Sequence, residues 1–184
     1  MSTIFNVDAT QSLFLIIDLQ VRLAPVINNF SGVLNCALQL SHASQIHNVP
    51  TLITEQYKKG LGETHQQIQN ALPKAEYIDK TFFSACEEPH FVDTLQSYGR
   101  SEVIVIGTEA HVCVLQTCLD LLQNGFNVII AADAVGSRNK EHVRIALDQL
   151  RQAGAIISCA ETIIFQWTKN AATPTFKEIL PIVK

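Results

Sequence analysis

Cys113 stands at the head of a helical pattern, just past the apolar run Val103-Ile104-Val105-Ile106 and the turn Gly107-Thr108-Glu109-Ala110-His111-Val112. A thiol in the first turn of a helix lies beside unpaired backbone N–H groups and the positive end of the helix dipole, a setting that favours thiolate. The same N–H groups can hold an oxyanion, so one turn can carry both halves of an acyl-transfer site. Two more reactive side chains close apolar runs. Asp18 ends Leu13-Phe14-Leu15-Ile16-Ile17, where partial desolvation raises the proton affinity of a carboxylate. Lys80 ends Tyr77-Ile78-Asp79. Acid, amine and thiol together suffice for nucleophilic catalysis: the carboxylate takes the thiol proton and the ammonium stabilises the thiolate. Taken singly, each has a plainer reading. A carboxylate such as Asp18 is more often a helix N-cap or loop residue, a lone lysine such as Lys80 a solvated charge, and a lone cysteine such as Cys113 core packing.

The elements that must position these residues follow from periodicity. Short apolar strand patterns at residues 12–18, 51–54, 76–79, 102–107, 127–132 and 156–160 alternate with helical patterns at 33–47, 64–71, 88–97, 112–123 and 140–153. Several strands are almost continuously apolar, as strands covered on both faces must be. Helix-length crossovers imply right-handed βαβ units. The expected architecture is a single doubly wound α/β domain spanning residues 1–184, a mostly parallel six-stranded sheet with helices on both faces. In such sheets function gathers beyond the carboxyl ends of the strands, where Asp18, Lys80 and Cys113 fall.

Composition narrows the classes. The chain of 184 residues carries a net charge of −4 and no run of Lys and Arg that would track a phosphate backbone, which disfavours nucleic-acid partners. Its apolar runs are too short to cross a bilayer, and the first residues lack the pattern of a signal peptide. The five cysteines form no C-x-x-C pair and read as reduced thiols of a cytoplasmic protein. Cys113 and Cys118, five apart on one helix, diverge too far to join.

The segments Ile16-Ile17-Asp18-Leu19-Gln20, Asp79-Lys80-Thr81-Phe82-Phe83-Ser84 and Gly107-Thr108-Glu109-Ala110-His111-Val112-Cys113-Val114 resemble, in order, the three signature regions of the isochorismatase-like cysteine hydrolases. The stretch from Thr54 to Gly62 is most similar to the subgroup of isochorismatase domain-containing proteins. The resemblance implies Cys113 as nucleophile, Asp18 as base and then acid, and Lys80 as their cationic partner. It also implies a cis peptide between Thr108 and Glu109 and an oxyanion hole made by the Glu109 and Cys113 N–H groups. The expected chemistry is hydrolysis of a small molecule, most simply at a C–N bond of an amide or ureide, through a Cys113 thioester. Nicotinamidases of the same superfamily bind a metal through an Asp-x-His pair after strand two. Residues Ile53 to Lys58 contain none, and His65 sits in a polar run, so neither metal nor other cofactor is expected. Gln20, Phe83 and His111 are candidate substrate contacts, with Phe82 and Ser84 beside them. A homo-oligomer is expected by analogy. Rival readings of the same residues are a non-catalytic interaction scaffold and a redox-sensing thiol protein.

Overall fold

The computed structural model describes residues 6–184. Six strands form one sheet: β1 (Ser12–Ile17), β2 (Thr51–Gln56), β3 (Glu76–Lys80), β4 (Glu102–Thr108), β5 (Asn127–Gly136) and β6 (Ile156–Ser158). Their order is β3-β2-β1-β4-β5-β6, with every pairing parallel. Among the described residues the α-helices are α1 (Phe30–Ile46), α2 (Lys58–Leu61), α3 (Gln66–Ala71), α4 (Phe91–Ser97), α5 (Leu115–Gln123), α6 (Lys140–Gln152), α7 (Ala160–Thr168) and α8 (Pro174–Val183).

Alternate residues of a strand face opposite sides of the sheet, and both sides are apolar here. Phe14, Ile16, Ile104, Ile106 and Ile129 meet residues of α1, α3, α7 and α8 such as Leu40, Ile68, Ile163, Trp167 and Ile179. Leu13, Leu15, Ile17, Val103, Val105 and Ile130 meet residues of α4, α5 and α6, among them Leu95, Leu121 and Leu150. Burial on both faces explains why β1 and β4 contain no exposed residue.

The chain winds outward in both directions from the junction of β1 and β4, which makes that junction the switch point where open α/β sheets place ligands. At this junction the two strands approach closely. Gly107 has φ +130°, and a Cβ there would lie 1.9 Å from the carbonyl oxygen of Ile17. Only glycine fits both the conformation and the space.

The structure departs from the sequence expectations at several places, among them the short helix α2 and the extension of β2 to Gln56. Strand β5 continues past Ala132 to Gly136, because the polar Asp133 interrupts the apolar run without ending the pairing. Strand β6 stops at Ser158, and Ala160 opens α7 with the N–H of Ala160 donated to Asp133 Oδ1 at 2.9 Å. Neither α7 nor α8 was legible. Helix α8 is capped by Thr173, whose side chain accepts the Phe176 N–H, with Pro174 in the first turn. The helix expected from Val112 begins instead as one π-helical turn, Ala110–Val114, and becomes α5 at Leu115.

Candidate active site

Asp18 follows β1 in a left-handed conformation, φ 51°. Its main chain is held on both sides: the Asp18 N–H donates to Thr54 O at 3.2 Å, and Thr108 Oγ1 donates to Asp18 O at 2.6 Å. The carboxylate is fully buried. Thr54 Oγ1 donates to Oδ1 at 2.7 Å, and Lys80 Nζ lies 2.8 Å from Oδ2. The Lys80 ammonium, equally sealed, also reaches Gln56 Oε1 at 2.6 Å and the carbonyls of Phe82 and Phe83 at 3.3 and 3.2 Å. The Cys113 thiol completes the cell and interacts electrostatically with both Asp18 and Lys80. It is 6% exposed, against 0% for Asp18 and 2% for Lys80. Register explains this convergence: Ile17 is beside both Thr54 and Gly107, and Gln56 is beside Lys80.

Burial raises the Asp18 carboxyl above its ordinary value, against the opposing pull of Lys80, Thr54 and Cys113. Burial likewise pushes the Cys113 thiol up to about 12; the Asp18 charge adds to the rise and Lys80 opposes it. The expectation of a thiolate favoured by a helix N-terminus is thereby corrected. Partial charges at a helix end are worth a few tenths to about 1 kcal/mol when exposed, less than the desolvation of a thiolate beside a carboxylate. Burial thus works against ionising either the acid or the thiol, and the Lys80 side chain opposes it at both. Passing the proton from sulfur to Asp18 leaves the net charge of the cell unchanged, with Lys80 beside donor and acceptor alike.

In the π-turn, Glu109 O accepts the N–H groups of Val112 at 3.0 Å and Val114 at 3.2 Å. Among the described residues no acceptor takes the N–H of Glu109. The Thr108–Glu109 peptide bond is cis.

The remaining candidates divide. Gln20 is fully buried, and its amide is spent on main chain. Nε2 donates to Gln56 O at 3.0 Å and Gly62 O at 2.7 Å, while Oε1 accepts the Gln56 N–H at 2.8 Å. It braces the ends of β1 and β2 and makes no bond to the base. Phe82 and Phe83 are half exposed and line a groove of about 580 Å³ with Ser84, Gln116, Leu119 and Asp120. His111 sets Nδ1 2.9 Å from Ser137 Oγ and its ring centroid 4.6 Å from that of His142. Sequence reasoning missed Thr54 and Gln56, the partners of Asp18 and Lys80. Polar residues at the end of an otherwise apolar strand were the available signal. Among the described residues no cluster of three His, Cys, Asp or Glu side chains is arranged to hold a metal, and no helix is long and apolar enough to cross a membrane. All five cysteines are free.

A sheet wound outward from a β1–β4 switch point that gathers a carboxylate, an ammonium and a thiol defines the isochorismatase-like hydrolase class. The isochorismatase domain model matches residues 12–162, and the chain belongs to that family. It is 39% identical over 182 residues to isochorismatase family protein 1B of Dictyostelium discoideum, covering 97% of this chain and 88% of that one. Isochorismatase domain-containing protein 2 of Danio rerio is 37% identical, with 97% and 90% covered. Among solved structures, MAR1 ribonuclease from Caenorhabditis elegans superimposes with TM-score 0.91 at 38% identity, covering 97% of this chain and 92% of that one. The YcaC gene product of Escherichia coli, described as an octameric hydrolase of unknown specificity, shares the fold with TM-score 0.90 at 22% identity, with 98% and 94% covered.

Proposed function

We propose that this family member is a metal-free cysteine hydrolase that cleaves a small amide or ureide through a thioester on Cys113. Asp18 takes the thiol proton as sulfur attacks the carbonyl carbon, and Lys80 stabilises the charge left on sulfur. The tetrahedral oxyanion rests on the Glu109 and Cys113 N–H groups, of which the Glu109 N–H has no protein acceptor among the described residues. Asp18 returns the proton to the leaving nitrogen, the C–N bond breaks and a thioester remains. Asp18, again a carboxylate, removes a proton from water, hydroxide adds to the thioester, and collapse expels sulfur, which regains the proton. A single carboxylate can serve in both directions because burial holds its pKa above the ordinary range.

The observation that carries this reading is the sealed contact of Asp18 with Lys80 at 2.8 Å beside the Cys113 thiol. Neither rival explains a buried ion pair placed against a lone sulfur. The ribonuclease name of the Caenorhabditis structure suggests a second substrate class. The net charge of −4 weighs against a polyanion. Homo-oligomerisation is inferred from the octameric YcaC relative, and a reducing, cytoplasmic setting from the five free thiols. The test is a panel of small amides, ureides and esters together with an RNA oligonucleotide, with Cys113→Ala protein as blank. Turnover of a carbonyl substrate by wild type alone is expected. RNA cleavage that survives in Cys113→Ala, with no small substrate turned over, would refute the proposal.

A further inference from the structure

The turn that carries Cys113 is braced from outside by the segment joining β5 to α6. Arg138 Nε lies 2.6 Å from Glu109 Oε1. The preceding residue, Ser137, sets Oγ 2.9 Å from His111 Nδ1, and the His111 ring packs at a 45° tilt against His142 of α6. Two consecutive residues thus grip both sides of Ala110. The brace is itself anchored. Val135 and Gly136 pair with Gly107 and Thr108 beyond a register shift in the β4–β5 ladder. Ser137 is fully buried, and its carbonyl accepts the Asn28 N–H at 2.9 Å.

Glu109 is consequently fixed at two points. Its carbonyl accepts from Val112 and Val114, and its carboxylate pairs with Arg138, leaving the N–H as its one polar group without a protein partner. Holding a residue at carbonyl and side chain also sets the direction of its amide. The pairing has an electrostatic consequence as well. Glu109 carries a negative charge on the same residue whose N–H would face a forming oxyanion, and Arg138 cancels that charge. An ion pair with its arginine 61% exposed adds little to folding stability, so its value would lie in this alignment and neutralisation.

We propose that Arg138 is a positioning residue for acyl transfer at Cys113, acting through Glu109. The inference rests on the thioester reading above and assigns a role to a residue outside the Asp18, Lys80 and Cys113 constellation.

Two reactions of the same sulfur separate the cases. Acetyl transfer from p-nitrophenyl acetate passes through an oxyanion. Alkylation by iodoacetamide is a displacement at a tetrahedral carbon and forms none. Both are followed at Cys113 by peptide mass spectrometry, with Cys113→Ala as blank. Arg138→Ala should slow acetylation about tenfold and leave alkylation within about twofold of wild type. Arg138→Lys, which keeps the charge, should recover most of the loss. In a Glu109→Gln background, where no carboxylate needs cancelling, Arg138→Ala should cost less than about threefold. Equal slowing of both reactions, no slowing of either, or the full cost persisting beside Glu109→Gln would overturn the proposal. A wild-type protein whose Cys113 accepts no acetyl group would remove the thioester reading, and this inference with it. Normal wild-type acetylation that Arg138→Ala leaves untouched would remove this inference alone.

Discussion

Replacing Lys80 with methionine keeps the length of the side chain and removes its charge from a buried cell. Asp18, Gln56 Oε1 and the Phe82 and Phe83 carbonyls all lose their donor at once. Removing one partner of a buried ion pair costs about 3–5 kcal/mol, because the survivor is left charged and uncompensated. The survivor here can escape by binding a proton, so the cost must depend on pH. Burial already holds the wild-type carboxyl of Asp18 above its unfolded value, with Lys80 opposing. A group whose folded pKa is raised contributes stability that is present below its unfolded pKa and is lost as pH rises through the folded one. Without Lys80 the folded pKa moves higher still. Variant and wild type should therefore differ least in acid and diverge once the pH passes the wild-type Asp18 titration, by about 1.4 kcal/mol for each further pH unit. About three units are enough to develop the full cost. Urea unfolding of both proteins from pH 4 to pH 8 measures this directly, and thermal unfolding should show a fall in Tm on the order of 10 °C near neutrality. A stability difference equal at both ends of that range would mean that Asp18 and Lys80 do not face each other in a sealed site, and the mechanism built on them would fail.

Other perturbations bear on the same cell. The acid limb of kcat/KM should report Asp18, which must be ionised to accept the thiol proton, and so should lie above the ordinary carboxylate range. No step from free-thiol ionisation should appear below about pH 10, because the Cys113 thiol is held near 12. Thr54→Val removes the 2.7 Å hydrogen bond to Asp18 Oδ1. A bond to a charged group is worth about 1.5 kcal/mol, so that acid limb should move upward by about one pH unit, an effect read from the pH profile with a substrate found in the panel. Cys113→Ser should lower turnover by about 10⁴-fold while circular dichroism and Tm stay near wild type. Gly107→Ala places a methyl group 1.9 Å from Ile17 O, backbone against backbone, and should cost more than about 4 kcal/mol; recovery of soluble protein with normal Tm would contradict the strand spacing at the switch point.

The apolar runs were enough to locate the strands, because a strand covered on both faces has little room for polar residues, and helix-length spacers imposed parallel pairing. They also placed Asp18, Lys80 and Cys113 at strand ends, and the motif resemblance joined them into one site. Other features depend on contacts between distant segments. Nothing local marks Thr54 and Gln56 as partners of Asp18 and Lys80, since that follows from β2 lying between β1 and β3 in register. Gln20 sits two residues past the base, yet its side chain turns to the main chain of Gln56 and Gly62. Helices α7 and α8 escaped notice because their stability comes from packing on α1 and the sheet, with Trp167 and Ile179 in the core. The clearest division lies at the sulfur. A helix end read locally argues for a thiolate, whereas burial in the folded protein pushes the thiol's pKa up, because desolvation and a neighbouring carboxylate are properties of the enclosure. Sequence by itself determined which residues carry the reactive groups and at which end of the sheet they gather; only tertiary structure decided their protonation and their partners, since both depend on what surrounds a group in space.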